Sequence, residues 1–119
     1  MDYLQDKTTE AIIKCAMTVH NELGPGFLEC IYRKALLIEL RCSNLPSATE
    51  KEISIRCRGE VVGVHRLDLL VVDAVIVELK TVELLSKAHY AHVRSYLRAT
   101  RLGVALLIDF ARSVWRSVA

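Results

Sequence analysis

Leu67-Asp68-Leu69-Leu70-Val71-Val72-Asp73-Ala74-Val75-Ile76-Val77-Glu78-Leu79-Lys80 decides the architecture of this chain. Ten of the thirteen residues 67–79 are aliphatic. Such a run fits strands covered on both faces better than a half-solvated ribbon. Asp68 and Glu78 therefore fall where an unpaired carboxylate is costly. A divalent cation with a lysine beside it is the most economical compensation.

Strand parity sharpens this. With Val72-Asp73-Ala74 as a three-residue hairpin loop, Asp68 lies opposite Glu78 and Arg66 opposite Lys80, all on one face. A loop one residue shorter would separate the carboxylates onto opposite faces. Facing residues have Cβ atoms roughly 4.5–5.5 Å apart. Two carboxylates that close repel, and one takes a proton unless a cation lies between them. Mg²⁺ suits such a pair, because it takes oxygen ligands, often only one or two carboxylates, and keeps several waters. Lys80 would orient the attacking water or stabilise charge formed in the transition state. The competing interpretation is a surface charge ladder of Arg66, Asp68, Glu78 and Lys80. Leu70 and Ile76, set beside the charges, argue against a solvated face.

At 119 residues, 52% hydrophobic and 25% charged, the chain is expected to form one globular domain, residues 1–119, with a real core. The net charge of +2 permits a nucleic-acid partner without requiring one. Cys15, Cys30, Cys42 and Cys57 show no zinc-type spacing, and the two in helices, Cys15 and Cys30, read as small buried hydrophobes. Thiols of this kind, no secretory signal in Met1–Asp6 and no apolar run of membrane length lead to the expectation of a cytoplasmic protein without a membrane span.

The element order reads ααβββαβ(β), an α/β (α+β) fold with a central mixed sheet flanked by helices. Residues 8–23 form a helix with Ile12, Ile13, Ala16, Met17, Val19, His20 and Leu23 on one arc, broken by Gly24-Pro25-Gly26. Residues 28–41 form a second helix burying Leu28, Tyr32, Ala35, Leu36 and Leu40. Glu29 projects between Leu36 and Leu40 and is expected to point inward. Ser43 to Thr49 is a loop, 52–57 a half-exposed strand, 61–72 and 74–81 the central strands. Residues 84–100 return to helical period with Gly103 as the stop, 104–110 is a buried strand, and 114–118 a short last one.

The stretch Leu23-Gly24-Pro25-Gly26-Phe27-Leu28-Glu29-Cys30-Ile31-Tyr32 carries Gly26, Glu29 and Tyr32 at the fixed positions of a known signature, and the chain resembles the GxxExxY protein family. The likeness continues through Val19-His20-Asn21-Glu22-Leu23, Arg66 to Val71, Val75 to Lys80, Tyr96-Leu97-Arg98-Ala99-Thr100 and Leu106 to Phe110. That family is placed in the PD-(D/E)XK nuclease-like superfamily, which implies a restriction-endonuclease-like core. By the resemblance Asp68, Glu78 and Lys80 take metal-binding and catalytic positions, and Glu29 the acidic position of an early helix. Two positions depart from the family: His92 stands where a glutamine is usual, and Asp109 where asparagine is usual.

The activity expected is Mg²⁺- or Mn²⁺-dependent hydrolysis of phosphodiester bonds in nucleic acid, DNA or RNA. Asp68, Glu78 and the carbonyl of Leu79 would hold the metal, Lys80 would assist the water, and Glu29 would complete the acidic cluster. His89, His92 and Tyr96 share the inner face of the third helix, from which their polar ends would reach the cluster, with packing on the core as the alternative for the two histidines. Tyr32 and His20 read mainly as packing residues, with support of the site as the second interpretation. Lys87, Arg94, Arg98 and Arg101 line the outer face of that helix and read as a solvated surface, with a phosphate-binding stripe as the alternative. Cutting both strands of a duplex would take a homodimer or a partner. The other functions considered are a catalytically silent nucleic-acid-binding or protein-interaction module, and a metal-dependent phosphohydrolase acting on a small substrate.

Overall fold

The computed structural model describes residues 3–112 and 114–118. Its elements run α1 (Tyr3–Leu23), α2 (Glu29–Cys42), β1 (Ser47–Cys57), β2 (Glu60–Val71), β3 (Val75–Lys80), α3 (Lys87–Thr100), β4 (Val104–Asp109) and β5 (Val114–Val118). The strands form one sheet in the order β1-β2-β3-β4-β5. β3 and β4 pair in parallel across the α3 crossover, and the other neighbours are antiparallel.

The central hairpin has the register that parity predicts. Val71 pairs with Val75, Leu70 with Ile76 and Leu69 with Val77, so the loop is Val72-Asp73-Ala74. Two consecutive residues with positive φ, Val72 at 48° and Asp73 at 54°, turn the chain there. The aliphatic run is buried as expected, with Leu67, Leu69, Val71, Val75, Ile76 and Val77 fully enclosed. One core layer lies between the sheet and α1–α2, built on Ile12, Ala16, Val19, Tyr32, Leu36, Leu40, Val77, Leu106 and Ile108. A second layer, with Leu67, Leu70, Ile76, Val93, Leu97 and Leu107, lies against α3.

Several boundaries differ from the sequence expectation, each for a physical reason. α1 starts at Tyr3 and not residue 8, since no residue from Tyr3 to Lys7 breaks a helix. β1 starts at Ser47, inside the expected loop 43–49, because β2 offers a long ladder and Val72 N donates to Pro46 O at 2.7 Å. Ser86 caps α3, so that helix begins at Lys87 and not at residue 84, and Arg101, at φ 60°, ends it before Gly103 is reached. Leu28 is the residue before α2 and stands 69% exposed. Met17 and Cys30 are exposed too, and of the two cysteines expected to be buried only Cys15 is.

β1 and β2 run on past the body of the sheet as a long arm that turns at Arg58-Gly59. Both turn residues have positive φ, 52° and 83°, and Cys57 pairs with Glu60 across them. That is the geometry whose twist matches an antiparallel ribbon. The ladder slips between Ile55 and Arg56, a bulge that re-aims the side chains around it.

Candidate functional site

Ladder pairing between β2 and β3 stops at Leu69–Val77, one step short of Asp68 and Glu78. Beyond that step, side chains replace the backbone bonds. Asp68 N donates to Glu78 Oε1 at 3.1 Å, and Leu79 N donates to Asp68 Oδ2 at 2.9 Å. The two carboxylates therefore sit side by side where the strands part. Asp68 also interrupts the β1 ladder, since Thr49 pairs with Leu69 and Lys51 with Leu67 while Glu50 is skipped at φ 50°. The distortion lies on β1, at Glu50 opposite the residue that carries the carboxylate, and such local strain is a common mark of functional positions.

Glu78 is 6% exposed, whereas the Asp68 side chain keeps 26% of its surface open. Burial raises the Glu78 pKa from 4.5 to about 7, and the Asp68 charge adds to the rise. The N–H of Asp68 and the Lys80 ammonium pull the other way, and Glu29 contributes a further increase. Lys80 is half-buried at the end of β3, its carbonyl accepting from Phe110 N at 2.9 Å. Arg66, expected opposite Lys80, instead pairs with Glu52 on β1 at 3.3 Å, because β2 has by then left β3.

Glu29 requires a correction. It is exposed at the first turn of α2 and does not project into the core. The helical projection set it among Leu36 and Leu40, but α2 begins at Glu29 itself, and of its first turn only Tyr32 enters the core that those leucines fill. Its charge nevertheless reaches Glu78, which puts it at the rim of the same region. One turn on, Arg33 lies between two carboxylates, with Nη2 3.4 Å from Glu50 and Nη1 3.9 Å from Asp68 Oδ1. Its spacing of four from Glu29 was the available signal.

Tyr32, the last position of the Gly26-Glu29-Tyr32 signature, acts on the backbone. Fully buried, its hydroxyl donates to Gly24 O at 2.5 Å and accepts from Phe27 N at 3.2 Å, while its ring stacks on Phe110 at 4.5 Å. The tyrosine thereby pins the Gly24-Pro25-Gly26 turn, where both glycines have positive φ (70° and 109°), and fixes where α2 begins. His20 is half-buried in the last turn of α1, its carbonyl accepting from Gly24 N. Both belong to the frame that places Glu29.

On α3, Tyr96 alone of the expected three reaches the site. It is half-buried, and its hydroxyl pKa is raised by burial and then by the charges of Glu78 and Asp68. His65 of β2 packs edge-on against it at 5.3 Å. His92 is exposed, contrary to expectation, and its ring bonds to no other described residue; Val93 and Leu97 hold the buried stripe and rotate it outward. His89 is committed to the cap, with Nδ1 accepting from Ser86 N at 2.9 Å. Asp109, 1% exposed beside Lys80, accepts from Val82 N at 3.2 Å and Ala111 N at 3.0 Å. It ties down the segment that follows Lys80.

Among the described residues no group of three His, Cys, Asp or Glu side chains is arranged to hold a metal. The donor set fits a hard cation that keeps waters. Asp68 and Glu78 offer oxygens, and Leu79 N points at Asp68, so the Leu79 carbonyl faces the same strand edge. An oxygen-only set of two carboxylates suits Mg²⁺ or Mn²⁺ better than zinc.

No described helix is long and apolar enough to cross a membrane. No curated protein and no solved structure matches the chain. The model of the PD-(D/E)XK nuclease superfamily matches residues 6–118. With its mixed sheet, its helices on both faces and acidic residues before a lysine on adjacent strands, the chain belongs to the PD-(D/E)XK nuclease superfamily.

Proposed function

We propose that this protein is a divalent-metal-dependent phosphodiesterase acting on nucleic acid, of the GxxExxY type, with its centre at Asp68, Glu78 and Lys80. The observation that carries this reading is the paired carboxylates at the parting of β2 and β3, bonded to each other's strands, with Glu78 raised to about 7. Such a pair retains a proton until a cation replaces it. Asp68, Glu78 and the carbonyl of Leu79 would hold Mg²⁺ or Mn²⁺, which supplies Lewis-acid polarisation of a phosphoryl oxygen and a more acidic water.

The chain's own groups divide the remaining work. Lys80 orients the water or neutralises negative charge formed in the transition state. Glu29 keeps the rim acidic, and Tyr96 closes the α3 side of the cleft. Arg33 restrains Asp68 by charge and must yield part of that contact when a cation enters. Cleavage of labelled single- and double-stranded DNA and RNA in Mg²⁺ or Mn²⁺ tests the proposal, with Asp68→Asn expected to lose both metal binding and cleavage. A wild type that binds neither metal, and cuts none of the four substrates, would overturn it in favour of a non-catalytic module. Metal binding with hydrolysis of small phosphate esters alone would shift the substrate to a small molecule.

A further inference from the structure

Beside Tyr96, on the side of the β1–β2 arm, lies a cavity of about 560 Å³ lined by Ser54, Ile55, Arg56, His65, Ser95, Arg98, Ala99 and Arg101. Three arginines line it and no aspartate or glutamate does. Arg56 spends one N–H on Gly59 O at 3.0 Å, and among the described residues Arg98 and Arg101 have no carboxylate partner. Three arginines around one space without a carboxylate create a local positive field that a bound anion would offset. Ser54 and Arg56, two apart, reach it from one face of β1, and the slip in the ladder beside them leaves Val62 of β2 as the extra, unpaired residue.

We infer that this groove between the β1–β2 arm and α3 binds the phosphodiester backbone of a nucleic-acid strand and leads it past Tyr96 to Asp68 and Glu78. The naming of the polyanion rests on the nuclease reading; the presence of an anion track rests on the groove itself. Guanidinium groups match phosphate oxygens bidentately, and the two serine hydroxyls add neutral donors. The His65–Tyr96 contact forms the wall shared by groove and cleft. Tyr96 feels the charges of both carboxylates, so a strand in the groove needs only to pass that ring to present a phosphate to them.

The test is fluorescence anisotropy of a labelled oligonucleotide in EDTA, where cleavage is silent, across a salt series. Three phosphate contacts predict a slope of log affinity on log salt of about −2 for a single strand and about −3 for a duplex. Arg98→Gln with Arg101→Asn, the latter chosen because asparagine tolerates the left-handed backbone at that position, should weaken binding at least about tenfold and bring the slope near −1. Mn²⁺ affinity should not change. Arg41→Gln, on α2 in the other layer, should leave the slope as in the wild type. Equal affinity of wild type and double variant, failure of the wild type to bind, or equally tight binding of polyglutamate would each overturn the inference. A wild type that binds through these arginines and cleaves nothing would uphold the groove and refute the catalytic reading, so the two failures are distinguishable.

Discussion

Asp68 donates its backbone N–H to the carboxylate of Glu78 and turns its own carboxylate back to the N–H of Leu79. This exchange takes the place of a rung in the sheet ladder at the point where β2 leaves β3. It fixes both side chains and leaves the other Asp68 oxygen, Oδ1, 3.9 Å from Arg33. Burial and the neighbouring Asp68 charge outweigh that N–H bond and make Glu78 expensive to ionise, and the first expectations follow from that cost.

A carboxyl group raised from 4.5 to about 7 holds, when folded, a proton that the unfolded chain has released. Metal-free stability is therefore highest below the unfolded value and falls as pH rises from 4.5 to 7, then levels off. The full change is about 3 kcal/mol. Glu78→Gln should melt higher than the wild type at pH 8 and alike at pH 4, as thermal unfolding in EDTA across pH would show. A wild type whose stability rises through that window would refute the assignment.

Metal binding should carry the same proton. Below pH 7 a cation must displace it, so Mn²⁺ affinity should weaken by about tenfold per pH unit, and above pH 7 it should flatten. Calorimetry at several pH values measures both affinity and protons released. Affinity independent of pH between 5 and 8 would place the metal elsewhere.

Tyr32→Phe removes one hydroxyl that serves both Gly24 O and Phe27 N. Losing these two part-buried bonds should cost about 1 kcal/mol, seen in chemical denaturation. Activity should fall by less than with Glu29→Gln, because the tyrosine only sets the start of the helix that carries the glutamate. A Tyr32→Phe variant of full stability would contradict the pinning role.

His92→Gln restores the residue usual in the GxxExxY family, yet His92 is exposed and without a bonded ring. Stability should stay within about 0.5 kcal/mol and Mn²⁺ affinity should not move. A gain in metal affinity would show that this position reaches the centre after all.

The central hairpin and its carboxylate pair were legible because one aliphatic run fixes two strands, and parity then fixes which side chains meet. What sequence could not supply was where strands part. Arg66 was expected opposite Lys80, but β2 swings away to pair with β1, a tertiary choice with no local signal. Glu29 was placed inward by a helical projection that ignores its position at the very start of α2. Leu28, just before the helix, escaped burial for the same reason. Arg98 and Arg101 read as a solvated face on α3 considered alone. Only the fold brings Arg56 and His65 across to meet them. Tyr32 read correctly as a packing residue, but its bonds to the glycine turn needed the φ values of Gly24 and Gly26 to be understood.

The most direct test of the account is single-turnover cleavage of a nucleic-acid substrate by Lys80→Met in Mn²⁺, measured alongside its Mn²⁺ affinity. Lys80 lowers the pKa of Glu78 but is assigned to the water and to charge formed in the transition state. Its loss should therefore slow cleavage by about a hundred- to a thousandfold while metal affinity stays within a few fold. Unchanged cleavage, or rate and metal affinity falling together, would contradict the assignment of Asp68 and Glu78 to the metal and Lys80 to the reaction.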